Sequence, residues 1–530
     1  MLLVNLTALT TLNSFGKSLH LFLYQCFAVV CLTALIALIP WQRARKVVQD
    51  VLIGLSVVLL FTDIYFACYY QGLPDQAIME VLIATTAEEA WGYVRANLLN
   101  IWLIGGLVVG LGLVYLLFHF VVKLRYVKGV VRTLSYVLLV ASLFTIGNMV
   151  KDVFKHKDKT VKSLTHNCCS VLRTGTQFYE GWTNMRNFER VLHRGNLHPR
   201  LLKNSSSIPY VVFILGESTS RHHLGIYGYP LNTTPYMAAR ERSGNLVKFT
   251  DVISPHGQTM PALGKLFTFY RHGAKGAWYD YTDLFSILNE AGYHTVWLSN
   301  QEFSGIYGNN GRVYAERCSE YAFTKLRGSD SYTIKDPYDE EILPLLDKSL
   351  KGAKAKNFIV LHLMGTHQNY KFRFPETFRS FSATEEKGEN DKIKQTRADY
   401  DTAVRYNDSI MNDIIKRFED KNAVVIYVSD HAEDVMEINK KIAGHSEIGL
   451  NRRMVEIPMM VFTSKRFQTA YPMLTARIRN AANRPFETDD MIHALLDLMD
   501  IHTADYKPQL SVFNQHFDAK RTRYYGTKKY

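Results

Sequence analysis

A carboxylate, three hydroxyls, an arginine and two histidines follow one apolar run in VVFILGESTSRHHLGIYGYPLNTTP, which begins at Val211. The run 211–215 reads as a buried strand that ends in a glycine turn at Gly216 and leads straight to Glu217. Loops at the carboxyl ends of such strands are where open α/β sheets place their ligands. The same pattern recurs further along. Asp430 and His431 close VVIYVSDHAED, His362 and His367 sit in LHLMGTHQNY, and His445 lies in AGHSE, fourteen residues after His431. Carboxylates and imidazoles in this mixture suit zinc, or manganese where oxygen predominates. The competing readings are a capping box at a helix start for the first segment and scattered structural histidines for the rest.

A metal of this kind lowers the pKa of a neighbouring hydroxyl and orients it for attack. Ser218, Thr219, Ser220, Ser254 and Thr259 are the hydroxyls on offer. The segment DVISPHGQTMPALGKLF (251–267) breaks on Pro255 and Gly257, then presents Thr259 just before Pro261 opens a helix. A hydroxyl there can cap the helix. The same position offers backbone N–H groups and a positive dipole end to a phosphoryl group. At this level both roles stay open for Thr259.

Positioning these groups requires a sheet. Apolar runs at 211–215, 293–299, 357–364, 423–430 and 457–464 alternate with helical stretches such as EEILPLLDKSL and DYDTAVRYNDSIMNDIIKRFE. That alternation predicts an α/β domain with a central, mostly parallel sheet over 206–530. The charged stretch EEKGENDKIKQ (385–395) reads as a mobile loop.

The first third is different. Apolar stretches at 20–40, 50–70, 98–121 and 131–150 are each long enough to cross a bilayer, which takes about 20 residues. They predict a multi-span transmembrane helical domain over 1–150. The loops 41–46 and 123–129 are basic, whereas 71–97 carries Asp75, Glu80, Glu88 and Glu89 against Arg95. By the positive-inside rule the basic loops are cytoplasmic, so the chain after Lys151 lies outside the cytoplasm. Residues 151–205 read as a linker with amphipathic helices along the membrane surface. The net charge of +13 gathers in the cytoplasmic loops and in 151–159, where anionic headgroups meet it. No finger, aromatic platform or basic helix accompanies it, which excludes nucleic acid as partner. Cys26, Cys31 and Cys68 fall in the apolar stretches; Cys168, Cys169 and Cys318 fall outside them, where one internal disulfide is permitted.

Residues 20–515 resemble the membrane-bound phosphoethanolamine transferases of the Gram-negative envelope, within the alkaline phosphatase and sulfatase superfamily. The resemblance rests on ILGESTSRHHLGIYGYPLNTTP, SPHGQTMPAL, WLSNQ, LHLMGTH, YNDSI, VSDHAED and GH ahead of IPMMVF, and is nearest to the branch that modifies lipopolysaccharide core. It implies an inner-membrane, multi-pass protein with an α/β sulfatase-like catalytic domain in the periplasm. It further implies Glu217, Asp430 and His431 as ligands of a divalent metal, zinc or manganese, with room for a second metal during turnover. Thr259 resembles the threonine that takes phosphoethanolamine covalently, and His367 and His445 resemble the histidines around the phosphoryl group. In TTAEEA, Glu89, with Glu88 beside it, resembles a carboxylate near the ethanolamine end of the donor. Aligning TTAEEA makes the four clear spans the second to fifth of the family's five. Implied partners are phosphatidylethanolamine as donor and lipopolysaccharide or another envelope glycan as acceptor, with the protein monomeric. The rival activities are a phosphoglycerol transferase of the same superfamily and a transferase to periplasmic glucans; a sulfatase or phosphatase has less need of four spans.

Overall fold

The computed structural model describes helices α1 (Gln42–Tyr70) and α2 (Ile101–Leu124), scattered positions elsewhere before residue 198, and residues 198–530 except 303–309, 326–337, 442 and 448. The chain forms two units, one built mainly from residues up to 185 and the other mainly from 186–530.

In the first unit, Gln42–Phe66 is apolar and long enough to cross a membrane. Arg45 precedes its apolar part and donates back to the Ile39 and Ala37 carbonyls at 2.7 and 3.0 Å. A carboxylate in such a helix needs a partner, and buried Asp63 has one in Arg173 at 2.6 Å. Helix α2 meets α1 at Gly110, where a Cβ would come within 2.8 Å of the Phe61 ring. The expected stretches 20–40 and 131–150 lie largely outside the described residues. So does most of the linker, of which 173–179 is helical.

The second unit is built on β1 (Tyr210–Gly216), β2 (Leu246–Phe249), β3 (His294–Glu302), β4 (Glu320–Lys325), β5 (Asn357–His362), β6 (Ala423–Ser429) and β7 (Met459–Thr463). They hydrogen-bond in the order β2-β7-β6-β1-β5-β3-β4. All neighbours are parallel except β7, which runs against both β6 and β2. The mostly parallel sheet expected from the sequence is therefore present, with one strand reversed. Strands β2 and β4 lie at its edges and do not figure among the apolar runs. The two middle residues of β2 are only half-buried, so its signal is weak.

Because successive strand residues face opposite sides, β1 feeds two cores. Val211, Phe213 and Leu215 enter one layer with α3 (Thr259–Leu266), α4 (Leu284–Glu290) and α7 (Met491–Leu498). Val212 and Ile214 enter the other with α5 (Ile342–Lys351) and α6 (Asp391–Lys416). Each such side chain contributes about 1.5–3 kcal/mol on burial, which fixes the strand on whose end the chemistry sits.

The stretch 385–395 differs from expectation. Asn390 caps α6 by accepting from the Ile393 N–H at 3.0 Å, and Ile393 is buried, so five residues of the presumed loop are helical. A cap and one buried apolar residue outweigh a charged composition. Cys318 is a free thiol whose sulfur donates to the Tyr314 carbonyl at 3.3 Å; Cys168 and Cys169 lie outside the described residues.

Candidate active site

The turn after β1 is not made by glycine. Gly216 continues the strand, and its missing side chain leaves room for Tyr427, whose hydroxyl would stand 2.6 Å from a Cβ there. The left-handed residue is Ser218, with φ 57. Its backbone is held on both sides: its N–H donates to Asp430 Oδ1 at 3.3 Å, and its carbonyl accepts from the Tyr400 and Thr366 hydroxyls at 2.8 and 2.9 Å. Gly365 (φ 53), in the loop after β5, lies so close that a Cβ would meet the Glu217 carbonyl at 2.8 Å. Only glycine combines that φ with that approach.

Glu217 is thereby aimed inward and buried. Its Oε1 accepts from Ser218 Oγ at 2.8 Å, and its Oε2 accepts from Thr259 Oγ1 at 3.1 Å and from Gln301 Nε2 at 3.2 Å. From the end of β6, His431 brings Nε2 to 3.1 Å from Glu217 Oε1, 3.4 Å from Asp430 Oδ2 and 3.3 Å from Thr259 Oγ1. Its Nδ1 lies 3.0 Å from the Ala432 carbonyl and donates there, which leaves the Nε2 lone pair facing the carboxylates. Asp430 accepts from the His431 N–H through Oδ1 at 2.7 Å, while its buried Oδ2 has no hydrogen-bond partner. Ligand atoms of Glu217, Asp430 and His431 all fall within 4.8 Å of one another. Two carboxylates, one bearing an orphaned oxygen, and an imidazole held in the ligating tautomer fit a divalent cation.

The electrostatics agree. Burial raises Asp430, and the charge of Glu217 adds to that, bringing it to about 8. Burial opposes charge on His431, yet Asp430 and Glu217 outweigh it and raise the imidazole to about 10. Burial also works against charge on Glu217, but His431 overrides it and holds that carboxyl well below its ordinary value. The cluster thus demands positive charge at its centre.

Thr259 opens α3, but the N-cap position belongs to Gln258, which makes no side-chain cap. The threonine hydroxyl is instead directed at Glu217 and His431. Ser218 shares the Glu217 carboxylate but stands 3.5 Å from His445. Thr219 is tied to Tyr427 and the Glu217 carbonyl, and Ser254 accepts from the His256 N–H at 3.4 Å. Ser220 Oγ is buried and unpartnered. Among these hydroxyls Thr259 alone bridges a carboxylate and the His431 Nε2.

His445 and His367 flank this group. The ring of His445 lies 4.2 Å from that of His431 and 5.6 Å from that of His367. His445 Nδ1 faces Glu433 Oε2 at 2.8 Å, and Glu433 takes the Tyr370 hydroxyl on its other oxygen at 2.6 Å. His431, Glu433 and His445 form a second set able to hold a cation. Burial holds His367 neutral, down at about 3, and its Nδ1 is unpartnered. His362 is a core residue: it is fully buried, contacts Ser299 Oγ at 3.3 Å, and is lowered by burial to about 4. His222 pairs with Glu456, and His223 with Asp401 and Glu437. Glu88 and Glu89 lie outside the described residues. Gln301 and Glu433 were not singled out from the sequence. Both fall in segments quoted for the resemblance, and both sit at or just after a strand's carboxyl end.

Comparison with known proteins gives this arrangement a family. The profile described as sulfatase matches residues 209–501, more than half of the chain, and the chain belongs to that family. Among the relatives it is similar to are proteins named phosphoethanolamine transferases. Phosphoethanolamine transferase EptC of Escherichia coli is 29% identical over 362 residues, covering 66% of this chain and 62% of that protein. Phosphoethanolamine transferase CptA of Salmonella typhimurium is 26% identical over 501 residues, 91% of this chain and 85% of that protein. The chain thus spans about 62% of the length of the EptC relative. Among solved structures, the periplasmic domain of E. coli EptC in complex with zinc superposes with a TM-score of 0.57 at 27% identity, over 63% of this chain and 93% of that one. The integral membrane lipooligosaccharide phosphoethanolamine transferase A of Neisseria meningitidis superposes with a TM-score of 0.63 at 20% identity, over 96% of this chain and 97% of that one. The fold class expected from the sequence holds: a helical membrane part followed by a sulfatase-like α/β domain.

Proposed function

We propose that the chain is a metal-dependent phosphoethanolamine transferase of a Gram-negative inner membrane, multi-pass, with its catalytic domain in the periplasm. The donor is phosphatidylethanolamine and the acceptor a lipopolysaccharide core sugar. The observation that carries this reading is the Thr259 hydroxyl, which makes no helix cap and donates to Glu217 Oε2 at 3.1 Å beside His431. Glu217, Asp430 and His431 would hold the cation, best served by zinc, which lowers the pKa of a nearby hydroxyl and balances charge on phosphoryl oxygens.

The chain's own groups do the rest. Glu217 and His431 orient Thr259 Oγ, which attacks phosphorus; the Oγ–P bond forms as the P–O bond to diacylglycerol breaks, and a proton passes to the leaving oxygen. His445, oriented through Nδ1 by Glu433, and neutral His367 line the phosphoryl side for that transfer. In the second half the acceptor hydroxyl attacks the phosphothreonine, its oxygen–phosphorus bond replaces the Thr259 bond, and its proton returns to Thr259. The carboxylate of Glu89, in the TTAEEA segment, would favour a cationic ethanolamine donor over the anionic lipid of a phosphoglycerol transferase.

Intact mass after incubation with phosphatidylethanolamine tests the nucleophile. Wild type gains one phosphoethanolamine, mapped between Asp251 and Lys265, and Thr259→Ala folds but gains nothing. If Thr259 were only a cap, Thr259→Ala would lose about 1 kcal/mol of stability and keep its activity. An adduct on Ser218, Thr219 or Ser254 overturns the assignment.

A further inference from the structure

Residues 519–530 lie beyond the sulfatase match, which ends at residue 501. Their sequence AKRTRYYGTKKY holds five basic residues and no acidic one. Two of the five turn inward. Arg521 pairs with the buried carboxylates of Glu487, Asp489 and Asp490 at 3.1, 2.6 and 3.0 Å. Arg523 grips Asp251, the first residue of the nucleophile segment, through both terminal nitrogens at 2.9 and 2.8 Å. Beyond them β8 (Tyr524–Tyr525) and β9 (Lys528–Lys529) pair as a hairpin around Gly526, whose φ is 55.

A two-stranded hairpin alone is marginal in water, but this one is fastened. The Gly526 N–H donates to the Pro255 carbonyl at 2.8 Å, and Lys528 Nζ donates to the Leu450 carbonyl at 2.6 Å. The Tyr530 hydroxyl donates to Glu456 at 2.7 Å, and the Arg452 and Arg523 guanidiniums lie 4.2 and 4.7 Å from its ring. Pro255 stands four residues before Thr259, and Leu450 five after His445. Leu450 also occupies the space a Cβ on Gly257 would need, at 2.5 Å. The hairpin therefore rests on both the loop that carries the nucleophile and the loop that carries His445.

Lys528 and Lys529 are exposed, and among the described residues no acidic side chain pairs with either. The reaction centre, in contrast, is lined by carboxylates: Glu217, Asp430 and Glu433 are buried there, and Glu447 accepts from the Gly257 N–H at 2.8 Å. An anionic molecule is attracted by the cationic hairpin, which orients it as it approaches.

We infer that this hairpin, through Lys528 and Lys529, docks the acceptor, and that the acceptor is an anionic glycan bearing phosphate groups near the hydroxyl to be modified. The inference rests on the transferase reading above. The two half-reactions separate them. Full-length protein is placed in vesicles of phosphatidylethanolamine and phosphatidylcholine, and adduct formation is followed by intact mass. Loss of the adduct is then followed after adding lipopolysaccharide core oligosaccharide, native or enzymatically dephosphorylated.

The double variant Lys528→Glu, Lys529→Glu should form adduct at the wild-type rate. Its KM for the native oligosaccharide should rise roughly tenfold at low salt, with kcat unchanged, and the difference should shrink as salt screens the surface. The dephosphorylated acceptor should show little change. Lys529→Glu alone, whose side chain makes no bond among the described residues, should give an intermediate rise. That variant removes loss of the Lys528 bond as an explanation. An unchanged KM, or equal rises for both acceptor forms, overturns the inference. So does an effect confined to adduct formation on vesicles containing phosphatidylglycerol, which would make the hairpin a membrane contact. If wild type forms no adduct at all, the transferase reading falls first.

Discussion

Ser218 holds a left-handed conformation that a residue with a side chain adopts at a cost of about 1–3 kcal/mol, and its φ of 57 is kept by Tyr400, Thr366 and Asp430. The strain places its hydroxyl under Glu217 Oε1 at 2.8 Å. Ser218→Gly relieves the backbone but removes that donor. The domain should melt no lower, while adduct formation slows about tenfold, since a hydrogen bond to a charged group is worth about 1.5–3 kcal/mol. A wild-type rate in that variant would show that the hydroxyl has no part in holding Glu217. Gln301→Leu should slow the same step to a similar degree, because Gln301 Nε2 supports the other oxygen at 3.2 Å. Much of this site was legible beforehand. Glu217, Asp430 and His431 each follow a dense apolar run, and Thr259 follows a break on proline and glycine. Gln301 carried no such signal, because an amide at a strand's end looks like any polar residue until its partner is known. The turn was misplaced for a related reason. A glycine after a strand reads as the bend, whereas here its absent side chain makes room for Tyr427.

At the scale of elements, His223 ties the turn after β1 to the rest of the domain. Its ring contacts Asp401 of α6 at 2.5 Å and Glu437 at 2.7 Å, between the rings of Tyr229 and Tyr400. Burial works against its charge, but the two carboxylates prevail and raise it from 6.5 to about 10. A pKa raised by folding stabilises the fold fully below the unfolded value, and that contribution disappears as pH climbs through the folded one. The urea midpoint of fragment 206–530 should therefore fall as pH rises from 6.5 towards about 10, and His223→Gln should flatten that slope. An equal slope in the variant would assign the pH dependence elsewhere. Tyr400→Phe should lower stability by about 1–3 kcal/mol, because the Ser220 N–H and the Ser218 carbonyl both lose a buried partner. The central strands were readable as apolar runs, being buried on both faces. Edge strand β2 was not, since two of its four residues are only half-buried, and the start of α6 was hidden in a charged sequence that only a cap distinguishes.

For the whole molecule, the division into an apolar helical part and an α/β part was plain from composition, because a bilayer and a two-layer core impose different periods on the chain. The proposed orientation rests on loop charge. Reporter fusions after Lys46 and Lys128 should read cytoplasmic, and those after Asp75 and Lys159 periplasmic. A cytoplasmic reading at Lys159 would overturn the placement of the catalytic domain. What composition could not convey is which charged residues of the first unit meet. Asp63 and Arg173 are 110 residues apart in the chain and 2.6 Å apart in the structure. At a synthesis rate of about 5–20 residues per second, roughly 5–20 s pass between the emergence of one and of the other. Throughout that interval helix α1 enters the bilayer with its carboxylate still lacking its arginine. Biogenesis of this protein thus has a waiting period written into it, and Asp63→Asn should insert more readily than the native helix while leaving Arg173 stranded once synthesis is complete.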